Sequence, residues 1–97
     1  MNYTVRKGEK KDMSSVWLLI KELAAFENEP DAVEVSVKDL ENDGFSINPK
    51  FEILVGELDN EIVGIALFYY RYSTWKGPTI HLEDLVVKED KRGLGIG

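Results

Sequence analysis

The stretch Ile80-His81-Leu82-Glu83-Asp84-Leu85-Val86-Val87-Lys88-Glu89-Asp90-Lys91-Arg92-Gly93-Leu94-Gly95-Ile96-Gly97 joins an apolar run that carries two adjacent carboxylates to a glycine-rich turn. Glycines at alternate positions from Gly93 to Gly97 let the backbone adopt positive φ and bring successive N–H groups to one side, a concave donor surface for an anion. A helix following the turn would complete such a site with its first N–H groups and its dipole. The spacing is G-x-G-x-G, which differs from the dinucleotide pattern G-x-G-x-x-G, and no Lys-Ser/Thr pair follows as in a P-loop. Taken alone, the glycines read equally as a plain turn after a strand. Glu83 and Asp84 are the more unusual feature. Adjacent strand residues point to opposite faces, so at least one carboxylate is expected to meet a groove or a partner. A salt bridge to a Lys or Arg of the sheet is the structural alternative.

Working outward, Thr79 to Lys88 reads as a strand and Ser73 to Pro78, with Trp75, as the loop before it. Phe51 to Leu58 and Ile62 to Tyr72 flank Asp59-Asn60-Glu61 and predict a β-hairpin. Every residue from Ile62 to Phe68 is apolar or glycine, which predicts a sheet covered on both faces. Nearer the N-terminus, Tyr3 to Arg6 predicts a short strand. Asp12 is placed to cap a helix over about residues 12 to 27, whose apolar stripe is Val16, Trp17, Leu19, Ile20, Leu23, Ala24 and Phe26. Pro30 and the acidic residues around it mark a loop. Ser36-Val37-Lys38-Asp39 has the form of a capping box and Gly44 stands where a left-handed C-terminal residue belongs, predicting a second helix from Ser36 to Asp43. The order is β-α-α-β-β-β, then the glycine turn.

Ninety-seven residues bound the chain to one small domain. A hydrophobic content of 43% argues for a packed core. With no cysteine and a single histidine, disulfide frameworks and the usual zinc patterns are excluded, and no metal site is expected. No apolar run approaches a membrane span and the first residues lack a signal-peptide core, so the expected location is cytoplasmic, with no membrane partner. The net charge of -6 disfavours a nucleic-acid surface and suits a cationic small molecule. Solubility alone would also explain an acidic surface.

The run from Ile80 to Lys91, followed by Arg92, Gly95 and Gly97 at the fixed positions of an R/Q-x-x-G-x-G/A acyl-CoA motif, resembles the fourth strand and pyrophosphate loop of the GNAT superfamily of N-acetyltransferases. Within it, Leu82-Glu83-Asp84, Ile20-Lys21-Glu22-Leu23-Ala24 with Glu27, and Lys38-Asp39-Leu40 with Asp43-Gly44-Phe45 look like the diamine and polyamine (spermidine/spermine) N-acetyltransferases. The resemblance implies an α+β fold, an α/β sandwich of mainly antiparallel sheet with helices on both faces. Residues 1–97 would be its N-terminal half, a single truncated domain ending in the acyl-CoA pyrophosphate loop. It also implies an acetyl-CoA cosubstrate, a small cationic amine substrate and a homodimer.

Site residues follow from the same resemblance. Backbone N–H groups of Arg92, Gly93, Gly95, Ile96 and Gly97, with the Arg92 side chain, would hold the pyrophosphate. Backbone groups of Leu85 and Val87 would align the thioester, which requires N–H groups left free by a bulge or splayed edge. Glu83 matches the base that draws a proton from the amine through water, and Leu85 N–H the oxyanion donor. Asp84 and Glu27 match substrate carboxylates, and Trp75 a wall of the substrate channel, although an exposed aromatic is as often a packing cap. His81 reads as a structural strand residue with nothing to orient it. The family's general acid, a Tyr of the second half, has no counterpart in these residues. The expected function is acetyl transfer to a primary amine of a diamine, polyamine or lysine-like molecule. The alternative is a non-catalytic half-domain that folds or dimerises without turnover.

Overall fold

The computed structural model describes residues 3–91, and the sequence readings for Arg92, Gly93, Gly95, Ile96 and Gly97 lie outside the described residues. Four strands, β1 (Tyr3–Lys7), β2 (Glu52–Leu58), β3 (Glu61–Ser73) and β4 (Gly77–Val87), form an antiparallel sheet in the order β1-β2-β3-β4 among the described residues. Two helices, α1 (Met13–Phe26) and α2 (Val37–Gly44), precede the β2–β3–β4 meander. The tight turn between β2 and β3 places Asp59 and Asn60 at φ 51° and 69°, the two left-handed residues of a type I′ hairpin.

Both helices pack on one face of the sheet. Met13, Val16 and Leu19 of α1 and Leu40 of α2 are buried against Ile53, Val55, Ile65, Leu67 and Val86. Phe26 does not join the stripe, because the helix ends there and its ring is left exposed. The opposite face is apolar as the sequence predicts, but its cover is not among the described residues. Val5, Leu54, Ile80, Leu82 and Leu85 stand exposed on it. Around Ala66, the side chains of Val5, Leu54 and Leu85 border a shallow trough of 170 Å³. Among the described residues, both helices lie on the one face.

Two local expectations are corrected. Asp12 does not cap α1 with its side chain. A 3-10 turn over Lys10–Asp12 precedes the helix, and the Asp12 carboxylate instead accepts two hydrogen bonds from Arg6, at 2.8 and 3.0 Å, and one from the Glu9 N–H at 2.8 Å. Asp12 is 6% exposed, so a forked guanidinium is the partner its burial requires. That contact holds its carboxyl below the usual carboxylate range. Gly44 is helical and not left-handed. Glycine is needed there for space, since a Cβ would stand 2.5 Å from the Phe51 ring. The capping box holds as read: Asp39 N–H donates to Ser36 Oγ at 3.1 Å, and Ser36 N–H to Asp39 Oδ2 at 2.9 Å.

Candidate active site

α1 stops at Asn28, whose φ of 61° is the left-handed conformation that ends many helices. Glu29 N–H donates to Ala24 O at 2.8 Å and Asn28 N–H to Ala25 O at 3.1 Å, the paired bonds of a Schellman motif. This fixes Glu27 at the C-terminal boundary of the helix. The loop that follows is tied back onto α1: Trp17 Nε1 donates to Val35 O at 2.8 Å, and Lys21 Nζ to Pro30 O at 3.3 Å. Between the last turns of α1 and this loop lies a 290 Å³ groove lined by Leu23, Ala24, Glu27, Glu29, Val33 and Asp84.

Asp84 reaches that groove because β4 carries an extra residue. Leu67 of β3 is paired with Asp84 and Phe68 with Leu82, so Glu83 has no opposite number. A bulge of this kind cancels the strict alternation of faces. Asp84 stands with Leu67 on the helix side. Glu83 Oε1 lies 3.6 Å from His81 Nε2. The His81 ring in turn rests against Tyr69, which shares the face of Leu67. Glu83 and Asp84 therefore sit on the same side of the sheet, not on opposite faces as alternation predicts. Burial, then the charges of Glu83 and Glu27, push the Asp84 carboxyl above its ordinary range. Among the described residues no Lys or Arg pairs with Glu83, Asp84 or Glu27, which removes the sheet salt bridge as their explanation there.

Among the described residues β4 is an edge strand. Lys88 N–H donates to Val63 O at 2.7 Å, and the alternation of antiparallel pairing then turns the Leu85 N–H away from β3. The Leu85 side chain lies on the bare face, 60% exposed, so what Leu85 offers the edge is its backbone. Beyond β4, Glu89 N–H donates to Glu22 Oε1 of α1 at 2.7 Å, holding the 3-10 turn Glu89–Lys91 that leads to Arg92. Sequence reading missed Glu22; a carboxylate facing a backbone N–H 67 positions away leaves no local signal.

The structure brings together Glu27, Glu83 and Asp84 but not Trp75. That ring is 94% exposed in the β3–β4 turn, where Ser73 pairs with Gly77, roughly 20 Å along the strand from Asp84. His81, read as having no orienting neighbours, has three: Glu83, Tyr69 and Arg71, whose Nη1 stands 3.5 Å from His81 Nδ1. A larger cavity of 380 Å³ lies between the end of α2 and the start of β2, with Lys7, Phe45, Lys50, Phe51 and Tyr69 in its wall. It contains none of the site residues expected from the sequence. Among the described residues no cluster of His, Asp and Glu could hold a metal, and no helix is long and apolar enough to cross a membrane.

A bulged β4 beside an acidic groove on the helix side completes the α+β architecture of the described residues. The chain belongs to the GNAT acetyltransferase family, whose profile matches residues 15–97. It is 40% identical over 102 residues to the human spermidine/spermine N(1)-acetyltransferase-like protein 1, covering 98% of this chain and 15% of that protein. It is also 40% identical over 101 residues to the thialysine N-epsilon-acetyltransferase of Bos taurus, covering 96% of this chain and 59% of the relative. The chain therefore spans little more than half of the latter and a small part of the former. An aminoglycoside acetyltransferase from a soil metagenomic sample, solved with sisomicin, shares the fold at TM-score 0.73 and 21% identity, over 98% of this chain and 62% of its own. A ribosomal-protein-alanine N-acetyltransferase from Brucella melitensis gives TM-score 0.73 at 20% identity, over 99% and 63%.

Proposed function

We propose that residues 1–97 form the amine-binding, N-terminal half of an acetyl-CoA-dependent N-acetyltransferase that ends in the acyl-CoA pyrophosphate loop. Its acceptor is a primary amine of a diamine, polyamine or lysine-like small molecule. The observation that carries the reading is the convergence of Glu27, Glu83 and Asp84 on one side of β4, without a Lys or Arg partner among the described residues. Carboxylates in that arrangement attract an organic cation. The named relatives support the same substrate class.

An alkylammonium has a pKa of roughly 10.4, so at neutral pH it is protonated and not nucleophilic. Asp84 and Glu27 hold the cation, and Glu83 takes one proton from it through water. Acetyl-CoA supplies the thioester carbonyl that the freed amine attacks; the carbon–nitrogen bond forms, the carbon–sulfur bond breaks, and CoA departs as its thiolate, which takes up the remaining amine proton. The Leu85 N–H, turned to the edge of β4, donates to the negative charge that develops on the carbonyl oxygen. Val87 aligns the acyl arm from the same edge, and Arg92, Gly93, Gly95, Ile96 and Gly97 receive the pyrophosphate. Trp75 has no contact that supports a substrate role. The family's frequent homodimer and a cytoplasmic location belong to the same proposal.

The test is turnover of spermidine, putrescine and thialysine by a version of the protein that carries the second half, with Glu83→Gln compared across pH. The substitution should depress the rate more at neutral pH than at high pH, where free amine is plentiful. Failure on all three amines ends the small-amine reading, and a pH-independent loss removes Glu83 as base. A second reading, a non-catalytic half-domain that dimerises, is favoured by the bare face at Val5, Leu54, Ile80, Leu82 and Leu85. A monomer by sedimentation at high concentration counts against it.

A further inference from the structure

His81 is the only histidine in the sequence, and the bulge sets it beside the carboxylate that the proposed reaction uses as a base. Its Nε2 lies 3.6 Å from Glu83 Oε1. On the other side Arg71 Nη1 stands 3.5 Å from Nδ1, and the ring tilts against Tyr69 with centroids 5.0 Å apart. A guanidinium carries donors only. It meets Nδ1 favourably when that nitrogen is a bare lone pair, which puts the proton of the neutral imidazole on Nε2, facing Glu83. A separation of 3.6 Å is long for a hydrogen bond. Both side chains are partly exposed, at 38% and 52%, so a small torsional change closes it.

Glu83 needs such a partner. It adjoins Asp84, and Glu27 adds a third negative charge nearby. Repulsion alone would turn Glu83 out toward water. We propose that His81 is a positioning residue for Glu83: Arg71 selects its tautomer, Tyr69 sets its ring plane, and the Nε2–H holds one carboxylate oxygen so that the other faces the amine. The proposal rests on the reading that Glu83 takes a proton from the amine. In that step one proton passes from the ammonium nitrogen to Glu83 through water, and His81 keeps its own.

Two variants separate this role from a structural one. His81→Gln places an amide N–H near the position of Nε2–H, whereas His81→Phe keeps a ring against Tyr69 and donates nothing. With spermidine or thialysine as acceptor, His81→Phe should lower kcat about tenfold with KM for acetyl-CoA unchanged, and His81→Gln should recover most of it. Equal rates in the two variants, whether high or low, overturn the proposal. Nitrogen-15 NMR of the single imidazole needs no turnover. With the imidazole neutral, the unsubstituted chain should show one tautomer with bare Nδ1, giving way to a mixed average in Arg71→Gln. A mixed average in the unsubstituted chain overturns the tautomer lock. If the unsubstituted protein acetylates no amine, the functional reading fails, and the NMR result still decides the His81 geometry.

Discussion

Asp84 of β4 stands opposite Leu67 of β3, and the next pair is Phe68 with Leu82, so the strand absorbs Glu83 as an extra residue. The bulge brings two carboxylates to one side of the sheet, where regular pairing would separate them. It also leaves Asp84 half-buried among like charges, a cost that a binding site can retain and a purely structural strand would not.

Asp84→Asn should therefore stabilise the fold at neutral pH and, on the proposed function, weaken amine binding. The Asp84 carboxyl is pushed above its ordinary range, by burial first and by Glu83 and Glu27 second. An acid whose folded pKa is raised weakens the fold as pH climbs from the unfolded value through the folded one. Urea midpoints of the variant should exceed those of the unsubstituted protein at pH 7 and converge with them in strong acid. KM for the amine should rise about tenfold.

The Arg6–Asp12 pair makes the opposite pH prediction. The Asp12 carboxyl is held low by Arg6, so its stabilisation is present above the unfolded carboxylate value and is lost as pH falls through the folded one. Asp12→Ala leaves Arg6 without its main partner at a largely buried site and should cost about 3 kcal/mol at pH 7. Denaturant titration should show the difference from the unsubstituted protein shrinking toward acid. A pH-independent difference would assign the loss to packing.

Gly44→Ala should destabilise by about 1–3 kcal/mol, because the new Cβ meets the Phe51 ring. Helix propensity alone would make alanine the better residue there. Thermal melts of Gly44→Ala with and without Phe51→Leu distinguish the two effects. A stabilising Gly44→Ala would refute the steric account.

Glu22→Ala releases the Glu89 N–H and should loosen the turn leading to Arg92. On the proposed function this weakens acetyl-CoA by about tenfold, the low end of the worth of one hydrogen bond to a charged acceptor. Glu22→Gln keeps an acceptor oxygen and should restore most of the affinity. Calorimetric titration of acetyl-CoA into the three proteins checks the order.

Most of the fold was legible from local pattern. The strands, the hairpin over Asp59-Asn60, the Ser36 capping box and the span of α1 arise from interactions within a few residues, and the structure places them within about two residues of where the pattern does. The Leu82-Glu83-Asp84 run also marked the acidic pair as unusual for a strand. Tertiary structure alone decided the rest. The bulge at Glu83 is a mismatch between two strands, so neither strand's sequence records it. The left-handed stop at Asn28 matters for Glu27 only because α1 packs over β4. His81 looked unsupported because Arg71 and Tyr69 reach it across the sheet. Local physics set the elements. Register and packing, which depend on residues distant in sequence, set which side chains meet.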